Sequence, residues 1–183
     1  VAALSAGGSA TLAVLGYADT GGRGIIAASE DTGAFTDYVF GDGMISSVTS
    51  GAVADGSWGT LPSPDAALGA NWVTVAEAGG VDGTGVFSAE SYDAMALIIL
   101  ASQAARSTDR AAIQAQVMNV ANAPGTECHA GKLAECLKWI SGGMPVDYVG
   151  ATGVELDAGG TANGSYSESE VIGGAFTSVK IHK

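Results

Sequence analysis

The feature that most constrains the fold of this sequence is a pair of short apolar runs, each followed directly by a glycine-containing polar loop. The first run covers residues 10–17 and the second covers residues 37–40, and a helical pattern between them ends at Gly33. Short apolar runs of this kind are typical of buried strands in parallel sheets. The first 45 residues therefore predict a strand–helix–strand unit.

The rest of the chain predicts helices followed by a strand-rich tail. Residues 51–65 are rich in Gly, Ser and Pro and predict one strand among loops. The periodicity then predicts four helices, over residues 66–78, 90–105, 109–120 and 133–140. From residue 146 onward, short β-like runs alternate with turn residues, which predicts a small antiparallel hairpin system. The predicted class is α/β with a strand-rich C-terminus.

The helix predicted over residues 90–105 is the most apolar segment. Tyr92, Met95, Ala96 and Ile99 follow the spacing of one helical face, and other apolar residues fill the remaining sides. We expect this helix to be buried nearly all round over its middle turns.

Charge and hydropathy exclude several classes of protein. The chain carries seven Lys and Arg residues and a net charge of −12, so it lacks the basic surface that nucleic acids or anionic lipids require. Its longest apolar run, residues 94–101, is far shorter than the roughly 20 residues of a membrane span. The N-terminus has no signal-peptide pattern, so we expect either an intracellular protein or a mature or trimmed product.

No residue set with catalytic, cofactor-binding or metal-binding spacing stands out. The two histidines, His129 and His182, do not sit where a Ser–His–Asp triad would need them, and no phosphate-binding glycine motif is present. Cys128 and Cys136 lack the further ligands of a zinc site. They are compatible with a local disulfide, stabilising by about 2.6 kcal/mol and favouring an oxidising compartment, or with two free buried thiols in a reducing one.

Two loops are the best candidates for a ligand site. Residues 16–21 follow the first predicted strand, and residues 41–43 follow the second. In open α/β sheets, ligands bind beyond the carboxyl ends of the strands. Tyr17 and the carboxylates of Asp19 and Asp42 could there hold an ammonium group with an apolar stem. Equally, Asp19 could serve as a helix N-cap, and residues 41–43 could be an ordinary turn.

The order of motifs resembles the C-terminal portion of Leu/Ile/Val-type periplasmic binding proteins of ABC transporters. The matching stretches are residues 15–21, 40–44, 87–97, 122–126, 143–153 and 154–160. Each is short, but their order and spacing extend over nearly the whole chain.

The resemblance implies a periplasmic-binding-protein type I fold, with two Rossmann-like lobes that close on a small ligand and dock on a membrane permease. Residues 1–82 and 152–183 would then belong to the second lobe, and residues 83–151 to the first lobe after a hinge crossover. Tyr17, Ala18 and Asp19 would line the cleft, and Asp42 would pair with the ligand's ammonium group. The resemblance also implies a Cys128–Cys136 disulfide, because related proteins carry a Cys pair at this place.

The sequence departs from this family in one large respect, and two other functions compete with solute binding for import. Family members are much longer and begin with a first-lobe segment that this sequence lacks, so we expect the chain to be an incomplete part of such a protein. The first rival is a sensory or receptor domain of the same fold, which would adjoin a membrane helix or signalling domain. The second is a hydrolase on a doubly wound sheet, which the absence of a nucleophile–base pair disfavours.

Overall fold

The computed structural model describes residues 6–45 and 55–182, and these form parts of two compact units. Unit 1 consists of Val1–Pro62 and Tyr166–Lys183, and unit 2 consists of Ser63–Ser165. Among the helices that the structure describes, none combines the length and the apolarity needed to cross a bilayer.

Unit 1 is built on a five-stranded mixed sheet. Its strands are β1 (Thr11–Val14), β2 (Asp37–Phe40), β3 (Trp58–Pro62), β6 (Tyr166–Ile172) and β7 (Ala175–His182), and its helices are α1 (Gly22–Thr32) and the short α2 (Asp42–Ile45). The strand order is β1-β2-β3-β6-β7. The β1–β2 and β2–β3 pairs are parallel, whereas β3–β6 and β6–β7 are antiparallel. The predicted strand–helix–strand unit and the C-terminal hairpin are both confirmed.

One face of this sheet carries the core of unit 1. Leu12 and Val14 alternate with exposed residues along β1, and they pack in one cluster with Tyr38 and Phe40 of β2. Such strict alternation is the pattern of a strand that is buried on one face of the sheet and exposed to solvent on the other. Helix α1 adds Ile26 to the same cluster and ends at Gly33, whose φ of 59° lies in the left-handed region that favours glycine.

Unit 2 is mainly helical. Its helices are α3 (Ala66–Ala78), α4 (Ser88–Ala105), α5 (Arg110–Ala121) and α6 (Leu133–Ser141), and its strands are β4 (Thr126–His129) and β5 (Val146–Gly150). The two strands pair in parallel, so the antiparallel pairing predicted from residue 146 onward is wrong for β5 and holds for β6 and β7. All four predicted helices are present, but strand β4 was not predicted from the sequence.

Helix α4 differs from its prediction in the way it is buried. Ala96 and Leu100 are buried, at 1% and 0% exposure, whereas Met95 is 57% exposed and Ile98 is 49% exposed. The expectation of burial nearly all round is therefore wrong within the part of the chain that the structure describes. Periodicity reports which side chains are apolar, but it does not report how many sides of a helix have a packing partner.

The two compact units meet at residues 62/63 and 165/166, whereas the predicted lobes meet at residues 82/83 and 151/152. The implied lobe boundary between residues 82 and 83 lies in the glycine-rich segment 79–85, and helix α3, which precedes this segment, packs inside unit 2. Trp72 of α3 shares a buried cluster with Ala89 of α4 and with Ala151. The assignment of residues 1–82 and 152–183 to one lobe, and of 83–151 to the other, stays a prediction.

Cys128 and Cys136 form a disulfide that links β4 to α6, as the resemblance implied. Their Cα atoms are 6.0 Å apart, and both side chains are fully buried. Both cysteines belong to the main cluster of unit 2, which also contains Val146 and Tyr148 of β5.

Reduction of this disulfide is expected to lower the free energy of unfolding of unit 2 by about 2.6 kcal/mol, because the unfolded chain regains the entropy of the closed loop. Guanidinium denaturation with and without dithiothreitol measures the effect. The double variant Cys128→Ala/Cys136→Ala is the control and should not respond to the reductant. Two reactive thiols in the denatured, unreduced protein would contradict the pairing.

Candidate ligand site

The two candidate loops lie at the same edge of the sheet in unit 1. Val14 at the end of β1 is in register with Phe40 at the end of β2, and the strands run parallel. Residues 15–21 and 41–45 follow these carboxyl ends, so the two loops begin next to each other. This confirms the predicted juxtaposition of the loops, whereas the binding roles of their residues stay proposals.

A glycine brings the two loops into contact. A Cβ atom built on Gly43 would lie 2.5 Å from the carbonyl oxygen of Gly16 and 2.7 Å from Cδ1 of Tyr17. Real Cβ atoms do not approach other atoms so closely, so a residue without a side chain is needed here. Gly22 has a similar role at the start of α1, because a Cβ there would lie 2.9 Å from the carbonyl oxygen of Tyr17.

Asp42 and Tyr17 are the two exposed site candidates whose side chains have no polar partner among the described residues. Tyr17 is 68% exposed, and Asp42 is an exposed residue at the start of α2. Among the described residues, neither side chain has a hydrogen-bond or ion-pair partner. A phenol ring and a carboxylate on touching loops can hold a cation, the first through its ring face and the second through its charge.

Ala18 and Asp19 have different surroundings. Ala18 is 3% exposed and belongs to the core of unit 1. The carboxylate of Asp19 lies 3.3 Å from Nη2 of Arg23, four residues along the chain, and both side chains are largely exposed. The helix N-cap is Gly21 and has no side-chain hydrogen bond, so the alternative interpretation of Asp19 as the N-cap is wrong.

A cavity of about 470 Å³ lies beside the free edge of β1, next to the first loop. Its walls include Leu12, Val14, Tyr17 and Ile25, and 44% of the surface of Ile25 is exposed. Ala18, Asp19 and Asp42 do not line it. Ile25 was not predicted as a wall residue, because nothing in the helical pattern separates it from its buried neighbour Ile26.

A second polar centre, in unit 2, was not predicted. Asp93 of α4 is 3% exposed. Its Oδ1 accepts hydrogen bonds from the hydroxyl of Tyr148 at 2.7 Å and from the amide of Ala151 at 2.8 Å. Its Oδ2 accepts from the amide and the hydroxyl of Thr152, at 2.8 and 2.7 Å. Burial, reinforced by this carboxylate, raises the pKa of Tyr148 well above its ordinary value.

This centre is structural rather than a ligand site. All four donors come from one stretch, residues 148–152, so Asp93 fastens the end of β5 and the loop after it to α4. Gly150 allows this approach, because its φ of 64° favours glycine and a Cβ there would overlap the carboxylate. The signal in the sequence was an acidic residue flanked by Tyr92, Ala94 and Met95 in a mostly apolar helix.

Comparisons with known proteins support the fold. No protein-family model matches the chain, and the search of curated proteins found no match. Among solved structures, the leucine-binding protein LivK of Thermotoga maritima superposes with a TM-score of 0.65 at 19% sequence identity. The similarity covers 98% of this chain and 46% of that one.

The chain therefore has the α/β fold of type I periplasmic binding proteins, as predicted, and it corresponds to a part of that fold. The fold prediction included incompleteness, and the coverage agrees with it. At this level of identity the likeness concerns the fold alone.

Proposed function

We propose that this chain is part of the solute-binding component of an ABC importer, and that it binds a small amine-bearing ligand such as a branched-chain amino acid. The observation that carries the proposal is the contact between two loops at the carboxyl edge of β1 and β2, where Tyr17 and Asp42 face solvent. The fold of a leucine-binding protein supports it.

The chemistry of the site suits an amino acid. The carboxylate of Asp42 pairs with the ligand's ammonium group, because an unpaired ammonium in a closed cleft would be costly. The ring of Tyr17 covers the apolar stem. Ala18 shapes the wall through its backbone, and Asp19, whose charge is balanced by Arg23, adds polarity at the rim.

Binding is proposed to involve closure of two lobes, which presents the loaded protein to its permease. The other half of the cleft comes from a first-lobe segment of the same protein that these 183 residues do not contain. A periplasmic location agrees with the Cys128–Cys136 disulfide, since such bonds persist in oxidising compartments.

The substitution Asp42→Ala is expected to weaken binding of the cognate amino acid by roughly tenfold or more, the loss that follows from removing a hydrogen bond to a charged group. Isothermal titration calorimetry with a panel of amino acids on the full-length polypeptide measures the effect. Asp31→Ala is the matched control, because it removes the same charge from an exposed position at the C-terminal end of α1. Equal affinities for the two variants would contradict the pairing role of Asp42.

A further inference from the structure

The chain contains four asparagines, and one of them is followed by glycine. The four, each with the residue that follows it, are Asn71–Trp72, Asn119–Val120, Asn122–Ala123 and Asn163–Gly164. A side chain on the residue after an asparagine crowds the backbone amide between them, and glycine has no side chain. The amide of Gly164 is therefore the least hindered of these four amides.

Asn163 lies where a small hairpin ends, before strand β6. Leu156 and Ala162 form an isolated antiparallel bridge, and the amide of Asn163 donates to the carbonyl oxygen of Glu155 at 2.9 Å. Asn163 and Gly164 are both exposed. Among the residues that the structure describes, neither the side chain of Asn163 nor the amide of Gly164 has a hydrogen-bond partner. The amide of Gly164 is therefore free to turn toward the side chain of Asn163.

The other three asparagines are restrained. Asn71 lies within α3 and Asn119 within α5, where the amide of the following residue belongs to the hydrogen-bond ladder of the helix. Nδ2 of Asn122 donates to the carbonyl oxygen of Leu156 at 2.8 Å, and its Oδ1 accepts from the amide of Leu156 at 2.9 Å. Both polar atoms of that side chain are thus occupied.

We propose that Asn163 is a site of spontaneous covalent modification, at which the amide nitrogen of Gly164 attacks Cγ of Asn163. A bond forms between this nitrogen and Cγ, the bond between Cγ and Nδ2 breaks, and Nδ2 leaves as ammonia with the proton of the Gly164 amide. Water then opens the resulting cyclic imide at one of its two carbonyl groups. One opening gives aspartate, and the other gives isoaspartate, in which the former side chain continues the backbone. The reaction needs only water, and it does not depend on the proposed function.

Both products change the chemistry of this segment. The net charge becomes one unit more negative than −12, because a carboxylate replaces a neutral amide. In isoaspartate the backbone also gains one carbon atom between Asn163 and Ser165. Ser165 accepts a hydrogen bond from the amide of Ser63 at 3.0 Å, and the chain passes from unit 2 to unit 1 directly after it. The extra atom therefore lies in the segment that returns the chain to the sheet of unit 1.

Incubation of the natural polypeptide at physiological temperature and mildly alkaline pH, followed by peptide mass spectrometry, tests the proposal. The mass change from amide to carboxylate locates the modified residue, and an isoaspartate-specific methyltransferase with S-adenosylmethionine detects isoaspartate. Conversion at Asn163 is expected to be at least about tenfold faster than at each of the other three asparagines, because their amides react only after local opening. The matched variant is Gly164→Ala, which keeps Asn163 and fits the backbone, since φ of Gly164 is not positive. It should convert about tenfold more slowly, because its Cβ crowds the attacking nitrogen.

Conversion at Asn163 no faster than at Asn122 would overturn the proposal. Equal rates in Gly164→Ala and the unchanged protein would also overturn it, as would aspartate without isoaspartate, since either result excludes the cyclic imide. In denaturant the other three sites should react faster, whereas the rate at Asn163 should stay within about threefold of its value in the folded protein. A tenfold rise at Asn163 would show that the fold protects this site, and it would contradict the inference.

Discussion

The substitution Asp93→Asn is expected to lower the free energy of unfolding of unit 2 by about 1–3 kcal/mol, the usual cost of leaving a buried donor without an acceptor. Both carboxylate oxygens of Asp93 accept hydrogen bonds, two each, from residues 148–152. An asparagine keeps one acceptor oxygen and replaces the other by an amide group that only donates. One backbone amide, that of Ala151 or that of Thr152, then loses its acceptor and faces another donor, whereas the hydroxyl beside it can rotate and accept from the new amide group.

The matched control is Asp109→Asn. Asp109 caps α5, and its Oδ1 accepts from the amides of Ala111 and Ala112, but it is exposed, and asparagine caps helices about as well as aspartate does. Chemical denaturation followed by tryptophan fluorescence measures both variants, since Trp72 and Trp139 report on unit 2. If Asp93→Asn proved as stable as Asp109→Asn, the four hydrogen bonds between Asp93 and residues 148–152 would not contribute to the stability of unit 2.

The difference between these two aspartates illustrates what the sequence could predict. The capping role of Asp109 can be predicted from the neighbouring sequence, because the amides that donate to it lie two and three residues away. The partners of Asp93 are 55 to 59 residues away, and only the fold brings them near. The same limit explains α4, whose existence followed from its apolar periodicity but whose exposed face depended on which layers surround it.

In unit 1 the local sequence patterns predicted more of the structure than they did in unit 2. The apolar runs predicted β1 and β2, and the rule that ligands bind at carboxyl ends of parallel strands was enough to predict that Tyr17 and Asp42 share one edge of the sheet. What the sequence could not supply was the contact between the loops. The residues around Gly43 had the composition of an ordinary turn, and nothing in it indicated that Gly43 lies against Gly16.

That contact gives a second prediction with a large effect. The substitution Gly43→Ala would place a Cβ atom 2.5 Å from the carbonyl oxygen of Gly16, and a backbone atom cannot move aside as the end of a flexible side chain can. We expect a loss of about 1–3 kcal/mol in the stability of unit 1, the usual cost of forcing extra volume into a packed place. We also expect weaker ligand binding, since the loops that carry Tyr17 and Asp42 must separate.

The control lies two residues away. In Gly41→Ala the new Cβ would have only Cδ2 of Leu15 near it, at 3.8 Å, which is an ordinary contact. Thermal unfolding and calorimetric titration of both variants separate stability from affinity. If Gly43→Ala binds as tightly as Gly41→Ala does, the two loops do not act together on the ligand. If Gly43→Ala binds more weakly, the geometry of the contact is part of recognition, because this substitution removes no group that could touch the ligand.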